Sequence, residues 1–342
     1  MKHSCADAQA LVFDLGGTYL RCAVWDSCKS VSSLRRIKID NFLHTDAGDV
    51  WDGLVAHIQE YAASFGTNLP PDAPIVIAFA GPVKDRKTIL QAPTVLGGTT
   101  KLPNLAEEVE RRTGHTTYLL NDISAAAWYI SLNAPAARFM VTTVSSGIGS
   151  KLFDSSHPLG VLDAHPWAGE IGHVVVDHSL EAPVCDCGQR GHLGAIASGR
   201  GIERAARRQA REAPDTFAAS ACALRFGAKP ATLNNEDHIV PAARLGDAWS
   251  LAVIRRATRP LARVLLTVAV AAGIERVVII GGFALSLGAV YLQLLREELA
   301  AECRYSVFDP YVQSLVELGT GFEDACLLGA GVFAGHFLRG ER

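Results

Sequence analysis

Two imidazoles and two thiols, His173, Cys185, Cys187 and His192, fall within twenty positions of the chain. Two nitrogen and two sulfur donors suffice for a closed tetrahedral zinc site. Such a site would pin a loop and orient His173, whose other ring nitrogen could then face a substrate. A loop with two free thiols and no metal is the plainer alternative. Asp14 opens a different pattern, Asp14-Leu15-Gly16-Gly17-Thr18. Glycine at both turn positions lets the backbone approach a ligand so that its N–H groups face phosphate oxygens. Asp14 could hold magnesium through water, because that ion keeps much of its hydration shell. A ligand-free hairpin also accounts for these residues. Asp122 follows the apolar run Leu119-Leu120 and Asn121, and sites of α/β proteins lie where strands end. Phosphoryl transfer to an alcohol needs a base there to take the hydroxyl proton, although Asn-Asp is equally a helix cap. Ser145-Ser146-Gly147-Ile148-Gly149-Ser150 is a second small-residue turn, and Gly281-Gly282 a third. Neither a Walker loop nor a dinucleotide fingerprint fits the Ser/Gly turn, even though Lys151 follows it.

The elements that must position these residues alternate between strand and helix. Ala10–Leu15 and Leu20–Trp25 read as a hairpin around the Gly-Gly turn, with Val31–Ile39 a third strand. Val50, Leu54, Ile58, Tyr61 and Phe65 recur at helical spacing. Pro74–Ala80 and Thr117–Leu120 read as strands, and Leu102–Thr113 as a helix closed by Gly114. The pattern then restarts, with strands at Phe139–Val144, Ile171–Val176 and Arg276–Ile280 and helices at Gly201–Ala213, Ala242–Ala272 and Gly321–Leu338. Twice a strand ends in a Gly-rich turn, as in two related α/β halves.

Length and composition narrow the function. The chain has 342 residues, enough for two cores, and a net charge of −3 from 32 basic and 35 acidic side chains. That balance gives no footprint for nucleic acid or an anionic membrane. Arg204, Arg207, Arg208 and Arg211 cluster, but a solvated helix face explains them most simply. The apolar run Leu261–Ala272 is too short to span a bilayer, and the first residues lack the apolar run of a signal peptide. A cytoplasmic protein with thiols or a metal site, rather than disulfides, is expected.

Taken in order, Asp14-x-Gly-Gly-Thr, Asn121-Asp122-x-x-x-Ala126, the 145–150 loop, Gly169-Glu170-Ile171-Gly172-His173, Cys185-x-Cys187-Gly188-x-x-Gly191 and Gly281-Gly282 resemble the ROK family of bacterial sugar kinases and sugar-responsive repressors. The resemblance runs from about residue 10 to 335. It implies an α/β protein of the actin-like ATPase (ribonuclease H-like) fold, with two α/β domains flanking a cleft. The smaller domain would span 9–121, with a C-terminal helix at about 323–340 packing back on it. The larger would span 122–322 and carry the zinc-site loop 173–192. By the same resemblance Asp122 is the general base for the substrate's primary hydroxyl. Asn121, Gly81, Thr94, Glu170 and His173 surround the substrate. Asp14, Gly16, Gly17, Thr18, Ser146, Gly147 and Gly149 surround the nucleotide phosphates, with Gly281 and Gly282 near the adenosine. ATP, magnesium and structural zinc are the implied cofactors. The family pattern closes its metal set with Cys, where this chain has His192.

Two departures bear on the substrate. After Gly191-His192-Leu193 the family usually has a Glu that contacts hydroxyls at the anomeric end of the sugar, and this chain has Gly194. The loop that normally carries a sugar-binding Asn reads Ala92-Pro93-Thr94-Val95. A site that hydrogen-bonds a hydroxyl discriminates strongly, so losing two such groups suggests a ring unlike glucose. Some relatives phosphorylate seven-carbon cyclitols, whose anomeric-like end is altered. The expectation is therefore an ATP-dependent kinase of an atypical hexose or valiolone-type cyclitol, with ordinary glucokinase as the alternative. The partners expected are a small-molecule sugar or cyclitol, neither nucleic acid nor membrane, and a homodimer in keeping with the family. A sugar-sensing repressor would need a helix-turn-helix domain before the first strand, and that strand begins by about residue 10. A silent binding protein would not require the two aspartates.

Overall fold

A computed structural model describes residues 8–39 save 17, 27 and 29, then 47–92, 104–165 save 135, 167–319 save 306 and 308, and 324–338. They fall into two compact units. The first comprises Met1–Pro135, Phe153–Ala168 and Gly321–Arg342, and the second Ala136–Leu152 and Gly169–Thr320.

In the first unit, β1 (Ala8–Leu15) is apolar from Ala10 to Phe13, and those residues and Leu15 are fully buried. A strand without polar alternation must be covered on both faces. Its neighbours are β2 (Tyr19–Asp26), antiparallel, and β4 (Ile75–Phe79), parallel. With β3 (Val31–Lys38) outside β2 and β7 (Thr117–Asn121) outside β4, the sheet order is β3-β2-β1-β4-β7. A small hairpin, β5 (Val83–Lys84) and β6 (Thr88–Ile89), lies between β4 and β7 in the chain. Exposed Arg35, Arg36 and Lys38 keep the β3 edge wet. Leu11, Phe13 and Leu15 share a core with Leu54, Ile58 and Tyr61 of α1 (Ala47–Ala63). The Tyr61 hydroxyl donates to the Ser33 carbonyl at 2.8 Å. α2 (Leu105–Thr113) begins after the cap Asn104, later than the expected start at Leu102, and ends at left-handed Gly114 as the glycine predicts.

The helix α3 (Asp122–Ser131) and the C-terminal helix Ala325–Leu338 pack on each other, and the latter also packs on β1, β2 and β4. Glycines set this approach. A Cβ on Gly329 would lie 1.7 Å from the Ala125 carbonyl oxygen, and one on Gly331 would lie 2.1 Å from the Trp25 ring.

In the second unit, β8 (Arg138–Val144) and β10 (Arg276–Ile280) run parallel at the centre of a sheet ordered β11-β10-β8-β9. β9 is Ile148–Asp154 and β11 Val316–Leu318. The segment 173–192 leads into α4 (Leu193–Ala197) and α5 (Gly199–Glu212). α6 (Ala248–Ala272) precedes β10, and α7 (Gly282–Leu287) and α8 (Ala289–Glu302) follow it. Successive turns of α6 present Arg255, Arg259 and Arg263 to Glu297, Glu298 and Glu302 of α8. Glu298 is only 3% exposed and accepts from two of these arginines, which a buried carboxylate requires.

Four expectations change. Ile171–Val176 is not a strand: Ile171–His173 forms a 3-10 turn whose backbone lies on β9, and exposed Val175 makes only an isolated antiparallel bridge with His192. The run Ala242–Ala272 breaks at Gly246 (φ 80°), and Asp247 caps a new helix through Ser250 N. The strand resumes at Ile148, so Gly149 lies within β9 rather than in the turn. Residues 122–134 and 153–168 group with the first unit instead of the second, because α3 packs on the C-terminal helix. Cys22, Cys185, Cys187, Cys222, Cys303 and Cys326 are free thiols, whereas Cys28 is disulfide-bonded, an exception to the thiol expectation. No helix among the described residues is long and apolar enough to cross a membrane.

The glycine contacts are directly testable by urea denaturation. Gly329→Ala should lower stability by about 3 kcal/mol, the upper range for overpacking a rigid backbone contact. Gly335→Ala, whose Cβ would sit 3.7 Å from Trp25, should stay within about 1 kcal/mol of wild type.

Candidate functional site

In the first unit, β1, β4 and β7 are parallel, so their carboxyl ends share one edge. Asp14, Gly81 and Asn121-Asp122 all arrive at that edge, where open α/β sheets bind ligands. After β1 the turn closes with Gly16 N donating to the Tyr19 carbonyl at 3.1 Å. Asp14 accepts from Arg21 Nε at 2.9 Å and Nη2 at 2.5 Å, and Arg21 Nη1 reaches Asp324 at 3.0 Å. Burial works against the Arg21 cation, and its contacts with Asp14 outweigh that cost and raise its pKa. Asp14, Gly16, Thr18, Arg21, Arg36 and Asp324 line a cavity of about 580 Å³.

Asn121 builds the start of α3. Its side-chain oxygen accepts from Ile123 N at 3.0 Å and Ser124 N at 3.4 Å, and its amide nitrogen donates to the Gly81 carbonyl at 2.9 Å. Gly81 can approach because it has no Cβ, which would lie 2.6 Å from both the Gln91 carbonyl and the Phe79 ring. Asp122 therefore sits in the first turn of α3, where the helix N-terminus stabilises a negative charge. The Cys326 thiol donates to the Asp122 carbonyl at 3.7 Å. Burial, then Asp14 and Asp122, push this thiol well above its usual range. One half-buried, neutral sulfur thus lies within the electrostatic reach of both carboxylates.

The second unit repeats the edge arrangement with β8 and β10. Gly281 (φ 100°) is forced, since a Cβ would lie 2.6 Å from Thr143 Oγ1 and 2.7 Å from the Val144 backbone. Ser145 N donates to the Gly147 carbonyl at 3.0 Å, and Gly199 N donates to the Ser145 carbonyl at 2.7 Å. Arg200 Nε holds the Ser146 carbonyl at 2.8 Å. A Cβ on Gly147 would meet open space, and one on Gly282 would come no nearer than 3.8 Å to Ser145 Oγ. Those two glycines face room rather than protein.

Glu170 and His173 are held by backbone packed on backbone. A Cβ on Gly169 (φ 81°) would lie 1.8 Å from the Ser150 carbonyl oxygen, and one on Gly172 would lie 2.2 Å from that of Ile148. Lys151 is only 5% exposed, and its Nζ stands 3.9 Å from Glu170 Oε1. A buried ammonium needs polar partners, and Glu170 is one of those near Lys151.

The four metal-ligand candidates converge, with one donor atom from each lying within 4.8 Å of the rest. His173 Nδ1 is 3.3 Å from His192 Nδ1, Cys187 Sγ is 3.3 Å from His192 Nδ1, and Cys185 Sγ is 4.0 Å from His173 Nδ1. A tetrahedral ion with ordinary zinc bond lengths would set nitrogens about 3.3 Å apart and nitrogen from sulfur about 3.6 Å apart. The donor set fits. The cysteines sit on a tight turn, with Cys185 N donating to Gln189 O and Gly188 N to Cys185 O. Left-handed Gly191 passes so close to Asp177 that a Cβ would lie 1.8 Å from its carbonyl oxygen.

Each candidate of the first unit except Gly17 and Thr94, which lie outside the described residues, reaches the same sheet edge. Those of the second unit form two groups, the turns at 145–147 and 281–282 and the loop of Glu170 and the metal-ligand candidates, joined through β9, which carries Gly149. Arg21, Asp324, Cys326 and Lys151 escaped sequence reasoning. Arg21 and Asp324 are 303 positions apart, and no local pattern links them. Lys151 carried a signal of its own, a cation inside an apolar strand.

Replacing Asn121 with Ala removes a helix cap and the tie to Gly81 together. Urea denaturation should show a loss of about 1–2 kcal/mol, and Asn121→Asp, which keeps the accepting oxygen, should recover most of it.

The model of the ROK family matches residues 10–335. The chain is 36% identical to a C(7)-cyclitol 7-kinase of Streptomyces hygroscopicus subsp. jinggangensis over 336 residues, 96% of this chain and 94% of that one. A ROK family glucokinase from Streptomyces griseus, solved with glucose and AMPPNP, superposes with a TM-score of 0.71 at 24% identity, covering 94% of this chain and 97% of that one. A ROK family transcriptional regulator, a homologue of the E. coli MLC protein, gives 0.75 at 22% identity, with coverages of 98% and 81%. At such identities the two structures speak for the actin-like ATPase fold alone. On the family match and the near full-length relative, the chain belongs to the ROK family.

Proposed function

We propose that this protein is an ATP-dependent kinase that phosphorylates the primary hydroxyl of a seven-carbon cyclitol. The observation that carries the reading is the 36% identity, over nearly the whole of both chains, to a C(7)-cyclitol 7-kinase. Gly194 supports the choice of acceptor. Where the family pattern leads one to expect a glutamate at the anomeric end of a sugar, this position offers backbone only. A Cβ here would press to 3.1 Å on the Gly172 carbonyl oxygen, beside the turn that carries Glu170 and His173. A cyclitol with an altered ring at that end loses nothing by the change, whereas glucose would lose a hydrogen-bond partner.

Asp122 is assigned as the general base. Its carboxylate accepts the hydroxyl proton as that oxygen forms its bond to the γ-phosphorus, while the bond from phosphorus to the β,γ-bridging oxygen breaks and ADP leaves. Asn121 and Gly81 hold Asp122 in place, and Glu170, beside Lys151, accepts hydrogen bonds from ring hydroxyls. Gly16, Gly17 and Thr18 in one turn and Ser146 and Gly147 in another offer amides to the phosphates. Gly149, Gly281 and Gly282 are assigned to the nucleotide, and Thr94 with His173 to the acceptor. Asp14, oriented by Arg21, would hold a hydrated magnesium ion, which supplies charge neutralisation on the phosphates when bound. His173, Cys185, Cys187 and His192 would hold zinc, which fixes the turn and orients His173.

Two experiments test this reading. With ATP and a panel of valiolone-type cyclitols and hexoses, the cyclitol should give the highest kcat/KM, and Asp122→Asn should cut kcat by about 10³-fold with KM little changed. A clear preference for glucose would remove the cyclitol assignment, and near-wild-type turnover of the variant would remove the base. Elemental analysis should find one zinc per chain, lost in Cys187→Ser, with acceptor KM rising as His173 loses its orientation.

A further inference from the structure

The arginines of α5 read as a solvated face in the sequence, and the fold places a second row opposite them. α5 and α6 border a cavity of about 750 Å³, lined by seven arginines and only two carboxylates, Asp177 and Glu212. Arg204, Arg208 and Arg211 recur at helical spacing on one wall, and Arg256 and Arg263 recur on the other. Val253, Ala257 and Pro260 also line it, so apolar surface lies among the charges.

The cations of this cavity differ in what neutralises them. Arg207 pairs with Glu203 at 2.7 Å, Arg259 with Glu298 at 2.8 Å and Arg263 with Glu302 at 2.9 Å. Arg208 approaches Glu212 only to 3.8 Å, and Arg204 shares Asp186 at 3.7 Å with the closer Arg200. Arg211 and Arg256 have no carboxylate partner among the described residues. Like charges gathered at i, i+4 and across a groove disfavour the arrangement unless an anion joins them. The volume is that of a small-molecule site, and guanidinium groups match phosphate oxygens in pairs. A second copy docked here about a two-fold axis would set arginine against arginine.

We propose that this groove of the second unit binds a multiply charged, phosphate-bearing small molecule, with Arg204, Arg211 and Arg256 as its principal contacts. Arg204 also links the groove to the Cys185–Cys187 turn through Asp186, so occupancy draws on a cation that braces the metal loop.

The test uses the metal-loaded full chain and inorganic pyrophosphate. Because pyrophosphate can also enter a nucleotide site, isothermal titration calorimetry is run with the non-hydrolysable analogue AMPPNP already saturating. Wild type should bind one equivalent, weakened about tenfold or more in Arg211→Glu/Arg256→Glu, while turnover without pyrophosphate is unchanged in the variant. Equal binding by both proteins would overturn the proposal. So would no binding by wild type, or a wild-type dimer that the charge reversal dissociates while neither protein takes up pyrophosphate.

Discussion

Gly169 and Gly172 let the turn carrying Glu170 and His173 lie directly on the backbone of β9, where any Cβ would penetrate a carbonyl oxygen. Much of the second unit's site depends on that contact. Ser150 binds the Gly169 carbonyl through both its amide and its hydroxyl, at 2.9 Å each. The same strand begins at the Ser146-Gly147 turn and carries Lys151 toward Glu170. Moving the turn by the width of one methyl group would therefore displace the acidic residue, the Cys/His loop behind His173 and the strand below the Ser146-Gly147 turn together.

The first unit solves the same problem of precision with a side chain. Asn121 uses its oxygen on the α3 amides and its nitrogen on the Gly81 carbonyl, so one residue registers the ends of β4 and β7. Arg21 does the equivalent at β1, holding Asp14 and Asp324 at once. These ties are partly shielded from water, which makes each charged contact stronger than its surface counterpart. Rigid carboxylates at a sheet edge suit a reaction in which the protein supplies position and charge rather than covalent chemistry.

Electrostatics also separates what is structural from what awaits a ligand. The arginine ladder of α6 meets a glutamate ladder on α8, and each row accounts for the other. The groove between α5 and α6 has no such balance. The same helix thus presents a neutralised face and a face with cations to spare, a difference that composition, at a net −3, averages away.

How much of this was legible beforehand follows from the range of the forces involved. Strand and helix alternation, the cap at Asn121, and the four metal donors are written in local spacing, because periodicity and capping act over a few residues. The glycine motifs marked places of close approach without saying what is approached. Tertiary structure alone decided that Gly172 lies on Ile148, that Arg21 joins Asp14 to Asp324, and that Ile171–Val176 leaves the sheet. It also decided that residues 122–134 belong with the first unit, and that a second row of arginines faces the first. Each of these depends on which surfaces meet after the chain has folded back over tens to hundreds of residues. Local pattern determines what an element is, and packing determines what it touches.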